Sequence, residues 1–299
     1  MPTTKRGAIF VLLIATVLAA ALASPAAEAD PARTGSATTA SATHFSTLLP
    51  GSSLPSDQTC AGSVRPVNEQ RIDNVVMNDT VPPPGTIHLA PLDRENGYDN
   101  RAQTLEARVT GNFTGTTDEI IQWAACKWGF DENVVRAIAM TESDWHQDTL
   151  GDYTTNAASC PPGLVVPCPQ SFGIHQVTWT SDPVGTWPWS QTSTAFNLDA
   201  SLMVHRLCYE GYMQWLTDIG YTSYKAGDLW GCVGQWYSGT WHDSAAQSYI
   251  ATVKNYVATA PWTQASFSNV PPPPPPTSLR YDFENGSTDG WYPAWGPVT

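Results

Sequence analysis

Glu142 is the residue whose type and position most directly suggest chemistry. It closes an apolar helical stretch in the segment AMTESDWHQDTLGD, residues 139–152. Val134, Ile138 and Glu142 follow one another at four-residue steps, which places the carboxyl group on the side of the helix that faces inward. A carboxylate removed from water is costly, so burial favours its neutral form and raises its pKa. A carboxylic acid protonated near neutral pH can donate to a leaving oxygen, the role of a glycosidase acid. Periodicity alone leaves open an ordinary capped or ion-paired glutamate at a helix end. Asp144, Asp148 and Asp152 follow closely and read first as turn formers; Asp152 is the choice for a second acid. A serine or cysteine nucleophile finds less support. His44, His88, His146, His175, His205 and His242 could act as bases, but no nucleophile elbow is present and the cysteines are expected to be oxidised.

The elements that must hold these residues are mainly helical. Ile120, Ile121, Ala124, Ala125 and Trp128 recur at helical spacing, with Thr117 as an available cap and Gly129 as a stop. A second helix starts after Asp131. A third runs from about Thr194 to Glu210, with Leu198, Leu202 and Leu207 in the core. A fourth covers about Asp228 to Tyr237, and a fifth follows Asp243, with Ala246, Tyr249, Ile250, Val253 and Val257 on one face. The stretch 143–192 reads as loops, and no strand pair is expected in 116–262.

Around this region the composition changes. Lys5 and Arg6 precede an apolar run ending in small-residue cleavage sites, so residues 1–29 read as a secretory signal peptide. Residues 30–115 read as a linker and an irregular N-terminal extension, with the Ala/Ser/Thr/Pro-rich part, to residue 58, disordered. Residues 264–277 contain six consecutive prolines, Pro271 to Pro276, and read as a stiff linker. An exported chain with six cysteines is expected to form disulfides. Local closure suggests Cys160–Cys168 and Cys208–Cys232, leaving Cys60 with Cys126, although the spacing does not choose among the pairings. No CxxC pair is present to argue for zinc.

The net charge of −13 argues against nucleic acid and against docking on anionic membranes once the signal is removed. Thirteen tryptophans offer planes that suit sugar rings, though core packing accounts for most of them.

The order of short motifs carries more. Glu142-Ser143 is followed by Gly151-Asp152, then Ser171-Phe172-Gly173-Ile174-His175-Gln176, then Gln235-Trp236-Tyr237-Ser238-Gly239, and finally Tyr249 with Val253. This series resembles the lysozyme-like family of soluble lytic transglycosylases over roughly residues 118–262. The resemblance implies a mainly α, lysozyme-like catalytic domain with long loops, placed at 116–263. It implies Glu142 as the acid, Ser171 hydrogen-bonded to its carboxyl group, and Gly173 letting the backbone approach the sugar. Gln176 and Tyr237 would contact substrate, and Tyr249 would support the site. The implied substrate is the peptidoglycan glycan strand, cleaved outside the cell by a monomer without cofactor. Two departures stand out: the interval between Glu142 and Ser171 is longer than usual and holds a Cys160–Cys168 insert, and Ser238 replaces an asparagine. Residues 278–299, with Tyr281-Asp282-Phe283-Glu284-Asn285-Gly286, resemble the start of a β-sandwich carbohydrate-binding module.

Overall fold

The computed structural model describes residues 44–181 and 183–268. The proposed signal peptide, most of the Pro-rich linker and the tail at 278–299 lie outside them. The described residues hold ten α-helices: α1 (Asp57–Ala61), α2 (Val75–Asn78), α3 (Ala102–Glu106), α4 (Thr117–Trp128), α5 (Glu132–Ser143), α6 (Trp189–Thr192), α7 (Thr194–Tyr209), α8 (Gln214–Asp218), α9 (Leu229–Ser238) and α10 (Ser244–Thr259).

The five long helices start and stop where their end residues dictate. Thr116, not Thr117, caps α4, because Glu119 three residues on reaches back to its N–H and completes a capping box. Asp131 accepts from the N–H groups of Asn133 and Val134 to start α5, and Asp228 and Asp243 do the same for α9 and α10. Every residue of α7 is buried, which makes it the axis of the fold. α4 packs on α7, and α10 packs on both α5 and α9.

Residues 44–115 do not form a loose extension. The segment 44–58, read as a disordered linker, is tied down by polar contacts that composition does not reveal. Leu48 donates its N–H to the Gly129 carbonyl, and Phe45 donates to Glu132. The fully buried Arg206 donates to the carbonyls of Leu48 and Leu49 as well as to Glu210. Further on, Cys60, Leu92, Tyr98, Ala102 and Val109 join the same hydrophobic core as α4 and α7. At the other end, the packed body reaches Phe267, whose ring lies under Arg71 and against Trp145.

The loop-rich stretch between α5 and α7 contains a small antiparallel sheet that the sequence did not suggest. Its order is β1 (Leu150–Gly151), β2 (Ser171–Phe172), β3 (Val177–Thr178). Two-residue strands are too short to show alternation. Three disulfides join Cys60–Cys126, Cys160–Cys168 and Cys208–Cys232, the pairing that local closure suggested. Among the described residues no helix is long and apolar enough to cross a membrane.

Candidate active site

Glu142 sits in the last turn of α5 and lines a groove of about 630 Å³. Three other residues expected at the site line the same groove: Asp152, Gln176 and Tyr237. Tyr249 stands behind the glutamate, and its hydroxyl donates to Glu142 Oε1. The rings of Tyr249 and Tyr237 stack at 4.9 Å and 7°, so the packing of α10 on α9 builds one wall of the groove. Tyr237 is 60% exposed there, while Tyr249 is buried.

Burial pushes the Glu142 carboxyl up to about 7. Hydrogen bonds from Tyr249 and Trp236 oppose the rise, and the Asp152 charge adds to it. Burial, reinforced by the neighbouring Glu142, holds the Tyr249 hydroxyl well above its ordinary value, so it remains a donor. This carboxyl group can therefore be protonated near neutrality and lose its proton within a catalytic cycle.

The Ser171 hydroxyl is bonded to other groups than the Glu142 carboxyl that the motif implied. In β2 Ser171 is buried, and its hydroxyl pairs with Asp152 and, at 2.8 Å, with Thr178. Strand pairing accounts for the difference, since β2 sets Ser171 beside Gly151 and Thr178. Gly173 does not line the groove either. At φ +79° it faces Asn197, Gln147 and the Ser190 carbonyl, and an added Cβ would lie 2.4 Å from Asn197 Nδ2. Its role in this structure is to pass through a buried polar cluster.

That cluster positions the rest of the segment. Gln147 accepts from the Ile174 N–H at 3.0 Å, and Asn197 accepts from the His175 N–H and donates to the Phe172 carbonyl. Ser143 donates to the Ile174 carbonyl, joining the end of α5 to this turn. Asn74, from the N-terminal segment, accepts from the Gln147 N–H and donates to the Trp145 carbonyl. These buried amides have no motif of their own, and isolated Asn or Gln codes give no signal of burial.

Gln176 is held by donation to the carbonyls of Thr149 and Gly173. Gly151 makes room for it, because a Cβ there would lie 2.2 Å from Gln176 Oε1. Gly151→Ala is expected to displace Gln176 and lower groove-dependent activity about tenfold while the protein stays folded. Paired rate and melting measurements check this; full activity would show that the Gln176 position is immaterial.

The three aspartates separate. Asp144 caps α5 in the left-handed region and pairs with Arg71 at 3.2 Å. Asp148 lies with Asp73 and His146, their ligand atoms within 4.8 Å of one another and outside the groove. Only Asp152 joins Glu142 in the groove, with its backbone at φ 52°. The groove also holds residues that sequence reasoning did not place there: Asn96, Tyr98, Met213 and Trp215. The first two lie in the segment read as irregular.

Compared with known proteins, the chain matches no family model, no curated protein and no solved structure.

Tyr249→Phe removes a donor that favours ionised Glu142. The carboxyl pKa is expected to rise further, moving the alkaline limb of the pH–rate profile upward by about one pH unit. An unmoved limb would show that this contact does not tune the acid.

Proposed function

We propose that the protein is an exported enzyme that cleaves the β-1,4 bond between N-acetylmuramic acid and N-acetylglucosamine in peptidoglycan, with Glu142 as general acid and base. The observation that carries this reading is a carboxyl group held near pKa 7 in a groove whose only charged lining groups, among the described residues, are Glu142 and Asp152. Three disulfides support export. The ordered motifs resembling the lysozyme-like transglycosylases support the substrate class.

Glu142 would donate its proton to the bridging oxygen as the bond to the muramyl carbon breaks through an oxocarbenium-like state. In a lytic transglycosylase, the ionised Glu142 then takes the proton of the muramyl O6 hydroxyl, and O6 closes a 1,6-anhydro ring. One carboxyl group serves both transfers, and this is the first reading. Tyr249 and Trp236 would stabilise the carboxylate between the two.

One observation favours hydrolysis as a second reading. Asp152 lines the groove, is oriented by Ser171, and is close enough for its charge to act on Glu142. A carboxylate so placed could orient a water for attack.

Digestion of purified peptidoglycan with mass analysis of the soluble products tests both. Anhydro-ended muropeptides are expected; reducing ends would select hydrolysis. Binding to cell walls without released product would overturn the enzymatic reading in favour of a sugar-binding protein.

A further inference from the structure

The groove has a wall that the long helices do not supply. Asn96 and Tyr98 come from the N-terminal segment, and Met213 and Trp215 come from the start of α8 and the residue before it. The two pieces are fastened together. Trp215 donates its N–H to the Gly97 carbonyl at 2.8 Å, and Asp99 donates to the Tyr212 carbonyl at 2.9 Å. The fit at Gly97 is close, since a Cβ there would lie 2.7 Å from Trp215 Cβ. Asp93 fixes the approach, accepting from the N–H groups of Asn96 and Tyr98. The wall is therefore set before any ligand arrives.

Its chemistry suits an uncharged, polar ring. All four residues are uncharged, which disfavours a charged peptide stem. Trp215 is partly exposed at the groove and carries an indole N–H that can donate. The Asn96 side-chain NH₂ is spent on the Pro91 carbonyl and on Asp93, leaving its oxygen as an acceptor. An aromatic plane beside one donor and one acceptor is the set that holds a sugar ring with an acetamido group. Glu142 is held by Tyr249 and Trp236, from α10 and α9, so the acid and this wall are carried by different elements of the same groove.

We propose that Asn96 and Trp215, backed by the buried Tyr98 and Met213, form an additional subsite for a neutral N-acetylated hexose unit, reached only by longer glycan chains. The proposal rests on the reading of the groove as a glycan-cleaving site. It assigns chain-length preference to the N-terminal segment and α8 rather than to the residues around the acid.

The test uses the full chain carrying Glu142→Gln, titrated calorimetrically with β-1,4-linked N-acetylglucosamine oligomers from the dimer to the hexamer. Affinity is expected to rise with length. Adding Trp215→Ala should weaken the hexamer about tenfold and leave the shortest oligomers that bind unchanged. Trp215→Phe should restore most of the loss, and Asn96→Ala should give a smaller loss confined to long oligomers. If Trp215→Ala does not fold, the Trp215→Phe and Asn96→Ala titrations carry the test. An equal loss at all lengths, no loss at any length, or no binding of any oligomer overturns the proposal. Cleavage by the wild type is scored separately. Length-dependent binding without cleavage keeps the subsite and rejects the catalytic reading, and cleavage indifferent to Trp215 does the reverse.

Discussion

Replacing Glu142 with Gln is expected to lower peptidoglycan cleavage by a factor of about 10²–10⁴, the range that general acid catalysis contributes. The variant should fold, because Gln keeps the volume and can still accept from Tyr249. It should also be more stable than the parent under alkaline conditions. In the folded chain the carboxyl pKa is about 7, against an ordinary value of 4.5. Below the ordinary value both folded and unfolded states hold the proton, and the group makes no difference. Between the two values the unfolded chain has released its proton while the folded chain retains it, so stability falls as pH rises. The penalty is complete above pH 7. Allowing for the partial exposure of the side chain, removing it should add about 1–3 kcal/mol at pH 8 and little at pH 4. Chemical unfolding at both pH values checks this. A variant that loses stability at pH 8 would show that Glu142 is held as a structural charge.

Asp199→Ala is expected to produce the largest loss of stability, about 3–5 kcal/mol. Asp199 and Lys127 are both fully buried, 2.7 Å apart, near the crossing of α4 and α7. The Asp199 carboxylate also accepts from the Trp128 indole and from the N–H groups of Thr110 and Gly111. Lys127 reaches Asp57 at the start of α1 as well. Removing the aspartate leaves a buried cation and three donors without this acceptor, at the point where the N-terminal segment meets the helical core. A fall in Tm of about 6–20 °C follows for a body of this size. The double variant Lys127→Met with Asp199→Leu should recover part of it, since an apolar pair carries no desolvation penalty. An unchanged Tm in the single variant would contradict the assignment of this pair as the join.

The same join explains what the sequence could and could not disclose. The long helices were legible because their apolar residues repeat at helical spacing and their caps are strong. Even there, Thr116 and Thr117 offer the same hydroxyl, and only Glu119 at the right distance selects the first. The segment 44–58 was illegible because Ala, Ser, Thr and Pro give no periodicity, while the contacts that order it come from residues as far away as Arg206. Within the site, Glu142, Tyr237 and Tyr249 could be read from helical phase and motif order. Ser171 could not, because a two-residue strand set it against Asp152 instead. Asn96 and Tyr98 enter the groove from outside the region of recognisable spacing, Trp215 lies within it but in no motif, and only tertiary structure brings them together.

The central claim is that Glu142 works as an acid in this groove, and the rate of soluble muropeptide release across about pH 4 to pH 9 tests it most directly. The account predicts that release by the wild type falls as pH rises through about 7, where Glu142 loses its proton, and that Glu142→Gln shows almost none at any pH. Release that persists in Glu142→Gln, or that is indifferent to pH through this range, would contradict it.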